Sequence, residues 1–182
     1  MSKRESSEEP YEIPMVGDLT ENAAMMTEKL IEAPPGSECI LYFDSPGGSP
    51  YTALSLMNLI LWRELAATGV VTGECSSAAL WPFAACRQRL VSPLSVLLFH
   101  PMKWQSEENI HVREASEWAR HFGQLEKDMD ELLAKMLGLS PQQMEEWNRP
   151  GRYISGREFA EAGLAELLSS EDSLSGPLNA KP

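Results

Sequence analysis

"GECSSAALWPFAAC", Gly73 to Cys86, sets two adjacent serines between an apolar run and a short apolar helix. A serine in that position either caps the helix or attacks a carbonyl, and the surrounding chain decides which. Working outward, strand-like and helix-like segments alternate. "ECILYFDS", Glu38 to Ser45, reads as a buried strand ending in the Gly-rich turn "PGGSP". "YTALSLMNLILWRELAA" reads as a helix with Leu54, Met57, Leu61 and Leu65 on one face, followed by the strand "GVVTGE". Upstream, "YEIPMVGDL" is a short strand. "TENAAMMTEKLIEA" is an amphipathic helix with Thr20 as its N-cap, stopped by Pro34, Pro35 and Gly36. Downstream, "LSVLLFH" is apolar throughout, as expected of a strand buried on both faces. This alternation predicts an α/β fold with largely parallel strands.

Three of these strands end in a polar or Gly-rich corner: "DSPGGS", "GECSS" and "LLFHP". Ligands gather at the carboxyl ends of strands in such folds, which would bring Gly47, Gly48, Ser76, Ser77 and His100 to one edge. That is an inventory for acyl transfer: a serine to attack, a histidine to take its proton, and backbone N–H groups to hold an oxyanion. Each part also has a plainer reading, as a turn, an N-cap or a core histidine.

The longest periodic segment, Ser106 to Leu137, repeats apolar residues near every 3.6 positions (Ile110, Trp118, Phe122, Leu125, Met129, Leu133). It predicts a helix of roughly 45 Å, longer than a small domain needs, suited to protrude and pack on another subunit.

At 182 residues the chain is expected to form one domain, residues 10–168, between a polar tail at 1–9 and a flexible tail at 169–182. A net charge of -12 speaks against nucleic acid or an anionic membrane surface as partner. No apolar run approaches the ~20 residues of a membrane span. "MSKRESSEEP" has no secretory character. Cys39, Cys75 and Cys86 lack metal-ligand spacing and read as reduced thiols of a cytoplasmic protein, with no metal and no cofactor expected.

From about Ile13 to Leu168 the chain resembles the Clp protease proteolytic subunits, serine peptidases of the ClpP/crotonase fold. "ILYFDSPGGSP" is similar to that family's strand and Asn-Ser-Pro-Gly-Gly turn, with Asp44 in place of the usual asparagine. "GECSSAALWPFAA" resembles its nucleophile segment, and the 29 positions from Gly48 to Ser77 match the family's separation. "SVLLFHP" resembles its histidine strand, and "RYISGREFAEAGLAELL" its C-terminal segment. The resemblance implies a spiral of β-β-α units with a long protruding handle helix. It assigns Ser77 as nucleophile, His100 as general base, and the N–H groups of Gly48 and Ala78 as oxyanion hole. Gly47, Ser49 and Met102 would contact substrate. It further implies peptide or unfolded-protein substrates and rings stacked in pairs, a tetradecamer.

The pattern breaks where the family carries its catalytic aspartate, immediately before an Arg-aromatic pair. Here "NRPGRYIS" places Gly151 at that point. Asn148, a backbone carbonyl or water, or another acid such as Glu146 would then have to orient His100. Otherwise the chain is an inactive scaffold subunit of a mixed ring. Two further readings rank below these: a crotonase-type acyl-CoA enzyme, and a Ser-Lys dyad using Lys103. Pro50, read as lying on the strand that pairs with substrate, has no N–H to donate. The short N-terminal region puts docking of a Clp-type ATPase in doubt.

Overall fold

A computed structural model of the chain describes residues 9–105 and 109–168. In chain order the elements are β1 (Tyr11–Val16), α1 (Ala23–Glu32), β2 (Glu38–Ser45), α2 (Pro50–Trp62), β3 (Ala66–Ser76), a 3-10 turn (Ser77–Ala79), α3 (Leu80–Ala84), β4 (Gln88–Val91) and β5 (Val96–Phe99). Then come α4 (Val112–Leu137), α5 (Pro141–Asn148), β6 (Arg152–Ser155), α6 (Gly156–Glu161) and β7 (Glu166–Leu167). The chain forms two compact units, one ending at Leu97 and resumed at Ser155, the other running from Leu98 to Ile154.

In the first unit, β1-β2-β3-β4-β7 lie side by side and every pairing along this path is parallel. The predicted α/β class with parallel strands is therefore observed. Alternation along β2 buries Cys39, Leu41, Phe43 and Ser45. Phe83 of α3 meets Phe43 edge-on, with ring centroids 5.3 Å apart, and lies 6.2 Å from the Phe159 ring of α6. Each fully buried phenylalanine contributes about 1.5–3 kcal/mol of transfer free energy. Gly69 on β3 permits this packing, because a β-carbon there would stand 2.9 Å from the Phe83 ring.

Several local expectations change. Thr20 does not cap α1, whose N-cap is Asn22; the Thr20 hydroxyl instead accepts the N–H of Ser49 at 2.7 Å. Pro50 is not on a strand. It opens α2 behind the N-cap Ser49, where a missing N–H would have been unpaired in any case. Helix α2 stops at Trp62, because Glu64 adopts φ 54 and Leu65 leads into β3. Its buried face is Ala53, Leu56, Met57 and Ile60, while Leu61 is exposed. On β5, Leu97 and Phe99 are buried while Val96 and Leu98 are only half-buried, so the strand is not covered equally on both faces.

In the second unit, α4 begins at Val112 rather than Ser106, and positions 106–108 lie outside the described residues, as do 1–8 and 169–182 of the two predicted tails. Its 26 residues extend about 39 Å. Buried side chains occur only in its last turns, at Met129, Leu133, Ala134 and Leu137. Gly138, at φ 74, closes the helix in the left-handed conformation. The next helix, α5, starts at a Ser140 cap followed by Pro141, and its Trp147 meets Phe99 edge-on at 5.2 Å.

Candidate active site

The serine corner is built by an irregularity between β2 and β3. Phe43 pairs with Val71, but Ser45 pairs with Cys75, so β3 carries extra residues just before the serines. Asp44 Oδ1 holds that excursion by accepting the N–H of Glu74 at 3.1 Å. Gly73 is required beside it, since a β-carbon there would stand 2.5 Å from the Asp44 carboxylate. Beyond the excursion Ser76 is extended and Ser77 turns to φ 55, a left-handed conformation rare for serine. The chain then enters the 3-10 turn and α3. Strand, strained serine and helix in that order present a hydroxyl at the top of a parallel sheet.

Ser77 is half-buried, whereas Ser76 is buried and its hydroxyl has no hydrogen-bond partner among the described residues. Neither side chain caps the 3-10 turn, so the capping reading of the pair falls away. Cys75 offers no rival nucleophile. Burial, then the neighbouring Cys86 and Glu74, pushes its thiol well above the ordinary range, and burial pushes Cys86 up to about 12.

The Gly-Gly turn packs directly on this corner. At Gly47, φ 104, a β-carbon would stand 2.7 Å from Ser77 Cβ, 2.8 Å from the Ser76 carbonyl and 3.0 Å from the Ala78 nitrogen. Gly47 is anchored on its other side, where its carbonyl accepts the N–H of Leu19 at 2.8 Å and its N–H donates to Ser45 Oγ at 3.2 Å. Gly48, φ 148, is exposed, and a β-carbon there would stand 2.8 Å from Thr20 Oγ1. Ala78 is in the first turn of its helix, so its N–H has no acceptor within that helix. Ser49, expected to contact substrate, gives its N–H to Thr20 Oγ1.

His100 follows β5 in the second unit. Its Nδ1 lies 2.6 Å from the carbonyl oxygen of Pro101. A carbonyl can only accept, so Nδ1 carries the proton and Nε2 is left as the basic nitrogen. Gly151, φ 124, lies against the same residue: a β-carbon there would stand 3.1 Å from His100 Cβ. Asn148, the candidate third member, is buried and donates from Nδ2 to Asp130 Oδ2 at 2.8 Å. Glu146 is exposed and accepts from Gln142, and Lys103 is exposed. The N–H of Met102 donates to Glu126 on α4 at 2.9 Å. Neither the Pro101 carbonyl nor Glu126 carries a signal in the sequence that would have singled it out. One is main chain, and the other is one acid among several on a charged helix.

The sequence model of the Clp proteases matches residues 16–171. The chain belongs to the Clp protease family. Among curated proteins none matches it. Membership accounts for the parallel α/β sheet and the 26-residue helix α4, the ClpP-like fold. Clp proteases degrade peptides and generally assemble into rings. Among the described residues, no helix of this Clp protease homologue is long and apolar enough to cross a membrane.

Proposed function

We propose that this Clp protease homologue is a serine endopeptidase that cleaves peptides or unfolded proteins through an acyl-enzyme. Ser77 attacks, His100 Nε2 takes its proton and returns it to the leaving amine, and the N–H groups of Gly48 and Ala78 hold the oxyanion. One observation carries the reading: Ser77 sits at φ 55, a left-handed conformation rare for serine, with the Gly47 backbone packed on it. The Pro101 carbonyl on His100 Nδ1 supports it further, because it supplies the tautomer that an aspartate would otherwise impose. The test is hydrolysis of unstructured fluorogenic peptides by the full chain, with Ser77→Ala and His100→Ala as controls. Turnover lost in both variants supports the reading; turnover that survives Ser77→Ala removes it.

One observation favours a second reading. Gly151 supplies no carboxylate, which suits a scaffold subunit that needs active partners in a mixed ring. Turnover appearing only when a second Clp proteolytic subunit is added would select it. In either case the chain associates with copies of itself or its relatives, with a tetradecamer as the form to test by native mass spectrometry. Support comes from half of α4 having no buried residue and from α2, which lacks any charged side chain and leaves Trp62 81% exposed. Clp proteases are generally cytoplasmic, and three buried free thiols suit a reducing compartment.

A further inference from the structure

We propose that Glu126 is the carboxylate behind His100, acting through the peptide plane between Pro101 and Met102. Two hydrogen bonds share that plane. Its carbonyl, from Pro101, accepts the His100 Nδ1 proton at 2.6 Å, and its N–H, from Met102, donates to Glu126 Oε1 at 2.9 Å. The order is imidazole, peptide, carboxylate, with every donor pointing toward the anion.

A carboxylate that accepts an amide proton polarises that amide, and its carbonyl becomes a stronger acceptor at the far end. Glu126 thus does at one remove what an aspartate on Nδ1 does directly. It fixes the Nδ1–H tautomer and places a negative charge on the axis along which imidazolium forms. The position usually given to the acid cannot serve, because Gly151 has no side chain there. Glu126 lies on α4, one turn before Asp130, whose Oδ2 holds the Asn148 amide three residues ahead of Gly151. Both segments that back the imidazole are therefore tied to the same helix face. Glu126 is a positioning residue: it touches neither substrate nor the reacting atoms. The N–H of Met102, a residue expected to contact substrate, is committed to this link.

This proposal rests on the Ser-His reading for its catalytic meaning, and its test has an arm independent of that reading. The full chain is prepared with ¹⁵N-labelled histidine as wild type, Glu126→Gln and Glu126→Ala, with His100→Gln used for assignment. The ring-nitrogen shifts give the tautomer of His100, and the rate of reaction with a fluorophosphonate gives the reactivity of Ser77. Glutamine keeps an acceptor for the Met102 N–H without the charge. It should keep the Nδ1–H tautomer while the labelling rate falls roughly tenfold. Alanine removes the acceptor, so the tautomer preference should be lost and the rate should fall further. An Nδ1–H tautomer unchanged in Glu126→Ala overturns the proposal, and so does a wild-type labelling rate in Glu126→Gln. A wild-type chain that takes no label defeats the peptidase reading, and the tautomer comparison then still decides the role of Glu126.

Discussion

Gly151 lies flat against His100: a β-carbon on the glycine would stand 3.1 Å from that of the histidine and 3.3 Å from the Phe99 carbonyl, at a backbone φ of 124. The position that the sequence resemblance aligns with an aspartate is thus adjacent to the histidine, yet in a conformation that no aspartate adopts readily. Gly151→Asp, the substitution that the family pattern suggests would restore the triad, should therefore lower stability by about 1–3 kcal/mol and should not raise peptidase activity. Thermal unfolding and peptide turnover check both halves. A variant that is both more active and equally stable would show that the loop rearranges freely.

Gly47 is the tightest point of the serine corner. Gly47→Ala would drive a methyl to within 2.7 Å of Ser77 Cβ and 2.8 Å of the Ser76 carbonyl. The serine or the turn must move, and a displacement of about 1 Å at a reacting group costs roughly 10²-fold in rate. Fluorophosphonate labelling of Ser77 should fall by about that factor.

Ser76 offers the opposite case. Its hydroxyl is buried without a partner among the described residues, although the side chain has no part in the proposed chemistry. Ser76→Ala should raise stability by about 1 kcal/mol and leave labelling at Ser77 unchanged. A drop in melting temperature would mean that the hydroxyl is satisfied in solution.

Asp130 sets a pH dependence. Burial first, and the charge of Glu126 second, raise its carboxyl from 3.8 to about 6, against the opposing effects of Asn148 and Arg149. A raised carboxyl favours the protonated folded state, so its contribution to stability is greatest below pH 3.8 and is lost as pH rises through about 6. Asp130→Asn keeps an acceptor for Asn148 and removes the charge. At pH 8 it should be more stable than wild type by about 1 kcal/mol, allowing for solvent screening of a partly exposed group. Below pH 4 the advantage should vanish. Chemical denaturation at the two pH values measures it, and a constant difference would contradict the assignment.

Much of this architecture was legible in the residues. Strand β2 occupies the eight positions read as a buried strand ending in the Gly-rich turn, and the order of strands and helices around it follows the predicted α/β pattern. At the serine corner the resemblance pointed to Ser77 over Ser76, and the structure gives the two serines different settings, Ser77 half-buried at φ 55 and Ser76 buried and extended. What escaped depends on contacts distant in sequence or on unusual backbone. The end of α2 is set by Glu64 at φ 54, where helix-forming Leu65, Ala66 and Ala67 suggested that the helix continues. The short strand β4, Gln88–Val91, follows Arg87 and carries too little apolar pattern to declare itself. Thr20 has the chemistry of an N-cap but spends its hydroxyl on Ser49, 29 residues away. Likewise, the orientation of His100 by its neighbour's carbonyl, and of that peptide by Glu126, belongs to a fold that must exist before either bond can form.

The most direct test of the peptidase reading is mass spectrometry of the full chain after exposure to a fluorophosphonate, followed by mapping of the modified peptide. The account predicts a single adduct on Ser77, absent from Ser77→Ala and strongly slowed in His100→Ala. A folded, assembled protein that gains no adduct, or gains one at another residue, would contradict it.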